Sequence, residues 1–76
     1  MPILGKTKQR ILQELKKEPL HGYEIARRTK IPVTGVYQHL KELSKDGLIE
    51  NSEKEGRQKS YTLTKKGEAL LSILGE

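Results

Sequence analysis

Residues 46–64 read DGLIENSEKEGRQKSYTLT, and the alternation inside this stretch decides the fold. Lys59, Tyr61 and Leu63 alternate with Ser60 and Thr62, the period-2 pattern of a half-buried strand, and the short run LIENS ahead of them supplies a partner. Between the two runs lies EKEGRQ, polar and charged, where Gly56 gives the tip the backbone freedom that a tight turn needs. The stretch reads as a β-hairpin over about residues 48–63 with its turn held out into solvent. On both sides of it the period changes to that of a helix.

Downstream, Thr64 is the expected N-cap of a last helix over about residues 65–74, with Ala69, Leu70, Ile73 and Leu74 as its apolar stripe and Leu71 just outside the narrowest version of it. Upstream, VTGVYQHLKELSKDG starts a helix over about residues 32–46, with Pro32 near its first turn, where a missing N–H costs nothing, and Gly47 as the C′ residue. Val36, Leu40 and Leu43 form its buried stripe, which leaves Thr34, Gly35, Tyr37, Gln38, Lys41 and Lys45 on the open side. A shorter helix over about Gly22–Thr29 places Gly22, Ile25, Ala26 and Thr29 on one face, two of them small enough for another helix to come close. The first helix, about Leu4–Lys17, gathers Leu4, Ile11, Leu12 and Leu15 on one stripe and ends before Pro19, because a residue preceding proline is pushed out of the α region.

Helix, helix, tight turn, helix, β-hairpin, helix is the order of a winged helix-turn-helix. The expected class is therefore α+β and mostly helical: three helices, a two-stranded wing and a C-terminal helix in a single domain over residues 1–76. In that architecture the third helix lies in the DNA major groove, and the wing tip reaches along the phosphates or into the neighbouring minor groove. The residue types suit it. Thr34 and Gly35 are small enough to let the backbone approach a duplex, Gln38 has the amide geometry that pairs bidentately with adenine, and Lys41 suits a phosphate or guanine. On the wing, Lys54, Arg57 and Lys59 can meet phosphates beside Gly56, although Glu53 and Glu55 oppose that approach. Lys6, Lys8, Arg27 and Arg28 are further candidates for phosphate contacts.

Composition narrows the function classes. Seventy-six residues bury too little surface for a deep catalytic cleft as well as a stable core, which favours a binding module. The chain has no Cys, so disulfides, thiolate metal sites and cysteine nucleophiles are excluded, and a cytoplasmic home is expected. No run approaches the roughly 18 apolar residues of a membrane span, and no membrane partner is expected. The net charge is +5, and the surplus sits in residues 1–17, with five cations against one Glu, and in residues 51–66, with five against two. Two such clusters point to a polyanion, nucleic acid before membrane.

Carboxylates lie at salt-bridge spacings, as in Glu14 with Lys17 and Glu42 with Lys45, and no catalytic order emerges, so no enzyme and no cofactor are expected. His21 with Glu24 and His39 with Glu42 could each meet on a helix, yet neither pair has an evident third ligand, and no metal site is assigned. Tyr61 is expected in the core, Tyr23 part-buried, and Tyr37 at either a DNA contact or a packing surface.

The segments PLHGYEIARR, VYQHLKELSKDGLIE, GRQKSYTLT and TKKGEALL, in that order, resemble the corresponding parts of PadR-type transcriptional regulators, over about Leu12–Leu71. A broader similarity extends to MarR-like and ArsR-like winged helices. The resemblance implies a prokaryotic DNA-binding regulator, usually repressing, that works as a homodimer. It matches Tyr37 to the family's aromatic recognition-helix residue and Gly56, Arg57 and Lys59 to its basic wing. Members usually continue into a longer C-terminal helical part, so here the dimer contacts are expected on the terminal helices, at Leu4, Leu70, Leu71 and Leu74. The full expectation is a repressor reading a palindromic operator in double-stranded DNA. Its rivals are a winged helix that binds protein and a non-specific architectural DNA-binding protein.

Overall fold

The computed structural model describes residues 5–52 and 60–74 of the chain. In order these form α1 (Lys6–Lys17), β1 (Leu20–His21), α2 (Gly22–Thr29), α3 (Val33–Lys45), β2 (Ile49–Ser52), β3 (Ser60–Leu63) and α4 (Lys65–Ile73). This is the winged helix-turn-helix order, with one strand more than the sequence reading holds. The tip of the wing, residues 53–59, lies outside the described residues, and with it Lys54, Gly56, Arg57 and Lys59; so does Leu4.

The three helices ahead of the wing bury the stripes that their periodicity marks. Ile11, Leu12 and Leu15 of α1, Ile25 and Ala26 of α2 and Val36, Leu40 and Leu43 of α3 meet in one core with Leu20, Leu48, Ile49, Tyr61 and Leu71. Helix α1 stops where Glu18, ahead of Pro19, turns extended at φ −170°. Helix α2 opens with the Glu24 carboxylate reaching back to the His21 backbone N–H at 3.2 Å, as in a capping box. It closes on Lys30 in the left-handed region, φ 61°, and the Arg10 guanidinium donates to the Thr29 carbonyl at 2.9 Å, so an orphan acceptor of α2 becomes a tie to α1. Pro32 precedes α3 as its N-cap, one place before the first turn.

The end of α3 is a Schellman motif: Gly47, at φ 78°, donates to Ser44 O at 3.0 Å, and Leu48 donates to Leu43 O at 3.0 Å. Thr64 then joins three elements, since its hydroxyl donates to Gly47 O at 2.7 Å and accepts the Gly67 N–H at 3.1 Å as the expected cap of α4. Its own N–H donates to Leu48 O at 3.1 Å, which fixes the base of the wing.

The sheet is antiparallel in the order β1-β3-β2. The wing strands pair Ile49 with Leu63 and Ser52 with Ser60, while Leu20 pairs with Tyr61 on the other side of β3. Two residues carry no periodicity, and β1 exists because burial of Leu20 brings the chain alongside Tyr61.

Two expectations need correction. The stripe of α4 is rotated: Leu71 is 1% exposed and Ile73 76%, with Ala69 also exposed. Gly67 decides this, because a Cβ there would collide with the Leu48 carbonyl, so the Gly67 and Leu71 side of the helix faces inward. Leu71 is thereby spent in its own core and is unavailable to a second copy, while Leu70 and Leu74 are half-buried against the same core. Tyr23 is exposed, since Gly22, Ile25, Ala26 and Thr29 take the buried face of α2.

Candidate nucleic-acid interface

Burial of Val36, Leu40 and Leu43 leaves Thr34, Tyr37, Gln38 and Lys41 exposed along one side of α3, with Gly35 half-buried. Tyr37 has two roles: its ring lies over Gly22, where a Cβ would come within 2.6 Å of it, and the side chain is still 46% exposed. Gly22 thus sets how closely the two helices of the helix-turn-helix cross. Gly35 is different, because a Cβ there would meet only Ile31 Cγ2, at the ordinary distance of 3.5 Å. Packing inside the protein does not require a glycine at that place. Val33, which the sequence reading passed over, adds an exposed β-branched side chain at the start of α3.

Glu42, one turn beyond Gln38, ties this face to α1. Its Oε1 receives Lys8 Nζ of α1 at 2.7 Å, and its Oε2 accepts from Gln38 Nε2 at 3.1 Å. His39 Nδ1 lies 4.0 Å from Oε1. The Lys8 hydrogen bond, then that of Gln38, holds the Glu42 carboxyl below its usual range. The spacing of Gln38 and Glu42, one helical turn, was available in the sequence; the pairing with Lys8 joins two helices and was not. Glu42 takes this partner in place of the expected Lys45.

The cations divide. Lys6, Arg27 and Lys41 are exposed. Lys8 is held by Glu42, and Arg28 by Glu18 at 2.8 Å and Glu14 at 3.6 Å. The hydrogen bond with Glu18, followed by the other carboxylate contacts, raises the Arg28 pKa although partial desolvation works against it. Arg28 therefore ties α2 to the end of α1, and a phosphate would have to compete for it. Glu14 also meets Lys17 at 3.5 Å, at the expected spacing. Among the described residues no group of three or more His, Asp or Glu is placed to hold a metal ion. Nor is any described helix long and apolar enough to cross a membrane.

The model of the transcriptional regulator PadR-like family matches residues 11–73. No curated protein matches the chain in sequence. Among solved structures, a PadR family transcription regulator from Clostridium difficile is similar at 30% identity and a TM-score of 0.81, covering 92% of this chain and 83% of that one. Lactococcus lactis ZitR is similar at 26% identity and a TM-score of 0.89, covering 97% of this chain and 52% of its own. S. aureus MepR, solved as a DNA complex, shares the fold at 21% identity and a TM-score of 0.84, over 93% of this chain and 61% of its own. With the wing behind a helix-turn-helix and the match running through nearly every element, the chain belongs to the PadR-like family of transcriptional regulators.

Proposed function

We propose that this regulator binds double-stranded DNA with sequence preference, as a homodimer that places two copies of α3 in successive major grooves of a palindromic operator and represses transcription there. The observation that carries the reading is the side of α3 bearing Thr34, Tyr37, Gln38 and Lys41, which is polar, exposed and backed by a fully packed core. Gln38 and Lys41 can address base edges and Thr34 either a base or a phosphate. Lys6, Arg27 and the wing cations Lys54, Arg57 and Lys59 supply phosphate contacts, which give affinity without sequence information. MepR, a protein of the same fold, was solved as a DNA complex, which supports DNA as the partner. A protein-binding winged helix would favour an apolar open face, and this one is hydrogen-bonding.

The homodimer is supported by an open groove of about 630 Å3 along α4, where Ala69, Leu70 and Ile73 present apolar surface flanked by Lys45, Asp46 and Lys66. Leu70, Leu74 and Leu4 remain candidates for the contact, and exposed Ile73 joins them. The test is recovery of bound sequences from a pool of random duplexes, together with the mass of the free protein in solution. The expected result is a dimer and an inverted repeat with half-sites about 10 base pairs apart. Enrichment of no motif would replace this reading with an architectural DNA coat.

A further inference from the structure

Glu42 places a negative charge on the helix that is to approach a polyanion, which lowers general affinity for DNA. Its two oxygens are both engaged, one by Lys8 Nζ at 2.7 Å and the other by Gln38 Nε2 at 3.1 Å. From this arrangement, and resting on the reading of Gln38 as a base contact, we infer that Glu42 is a positioning residue that gives up affinity for selectivity. It turns the Gln38 amide for adenine and withholds Lys8 from the phosphates.

Donor and acceptor supply decides which way the amide turns. An ionised carboxylate only accepts, so the amide must turn its nitrogen toward Oε2. Without that partner the terminal torsion of Gln is broad and roughly two-fold, and the nitrogen and oxygen exchange places readily. Adenine offers an acceptor at N7 and a donor at N6 in the major groove. An amide has two N–H groups; giving one to Glu42 leaves one N–H and the carbonyl oxygen, the pair that adenine complements. Lys8 meanwhile is committed within the protein, so the cation does not strengthen binding to every sequence alike.

The experiment compares the full chain with Gln38→Ala, Glu42→Ala, Glu42→Gln and Lys8→Met. Each binds the recovered duplex, versions of it altered at the position Gln38 reads, and an unrelated duplex, at two salt concentrations, with thermal unfolding as the check that each variant is folded. Gln38→Ala should lose a preference on the order of tenfold at one position. Glu42→Ala should lose the same preference at the same position, while its binding to the unrelated duplex rises and its salt slope steepens by about 0.9 as Lys8 is freed. Glu42→Gln offers a donor as well as an acceptor, so it no longer dictates which way the Gln38 amide turns; it should lose most of the preference and still bind the unrelated duplex more tightly. Lys8→Met breaks the tie between helices and should leave the preference intact.

A purely structural tie would make Lys8→Met behave like Glu42→Ala, with binding to all duplexes weakened, and that result overturns the inference. If Gln38→Ala shifts the preference and folded Glu42→Ala does not, the inference falls while base reading by Gln38 stands. If Gln38→Ala leaves the preference unchanged, the base-reading role falls and takes the inference with it.

Discussion

Gly35 and Gly22 show how the same residue type serves two purposes on neighbouring helices. At Gly35 the protein has room for a methyl, so the glycine lowers helix stability with no packing gain. Gly35→Ala should therefore raise stability by about 0.5–1 kcal/mol in urea unfolding, and should weaken DNA binding if the backbone of α3 lies close to the duplex there. A variant that gains stability and binds unchanged would remove Gly35 from the interface. At Gly22 the missing side chain makes space for the Tyr37 ring. Gly22→Ala must displace that ring, and overpacking of this kind typically costs about 1–3 kcal/mol. Loss of DNA affinity beyond that of Tyr37→Ala would contradict the view that the substitution acts through Tyr37. Glu42 titrates with a definite sign. Its folded-state pKa is depressed by Lys8 and Gln38, so the tie between α1 and α3 is fully present above the unfolded value of 4.5 and is lost as pH falls through the lower folded value. An NMR titration of its carboxyl carbon should show a midpoint below 4.5 that moves up in Lys8→Met.

Helices α1, α2 and α3 were legible because each has a core stripe at offsets of three and four, and Pro19 and Gly47 mark two of their ends. The two-residue β1 was not, because its hydrogen bonds go to Tyr61 and Ser60, some 40 residues along the chain. The rotation of α4 escaped for a related reason. Leu70 and Leu71 are adjacent, so local pattern cannot choose between them, and the choice is made by Gly67 against the Leu48 carbonyl on another element. On the candidate site, the open face of α3 followed directly from its buried stripe, whereas the engagement of Lys8 and Arg28 by carboxylates depends on helix packing that no local spacing records. The corrected register makes a prediction of its own. Leu71→Ala should cost about 2–5 kcal/mol of stability, and Ile73→Ala should stay within about 0.5 kcal/mol of the parent while weakening self-association measured by sedimentation. Equal destabilisation by both would restore the unrotated stripe.

The parts form a small platform: a core shared by all four helices and the sheet, with a polar face of α3 left open and a groove with an apolar floor beside α4. A net charge of +5 on 76 residues gives such a platform attraction to any duplex, so affinity alone does not separate a regulator from a DNA coat. Selectivity does. The most direct measurement is the binding constant for the recovered duplex and for a scrambled duplex of equal length, each followed across a series of salt concentrations. Both constants should fall linearly in log–log form as phosphate contacts are screened. The recovered duplex should stay tighter by about a thousandfold or more, the range of specific over non-specific binding. Two coincident lines would contradict the claim that α3 reads sequence.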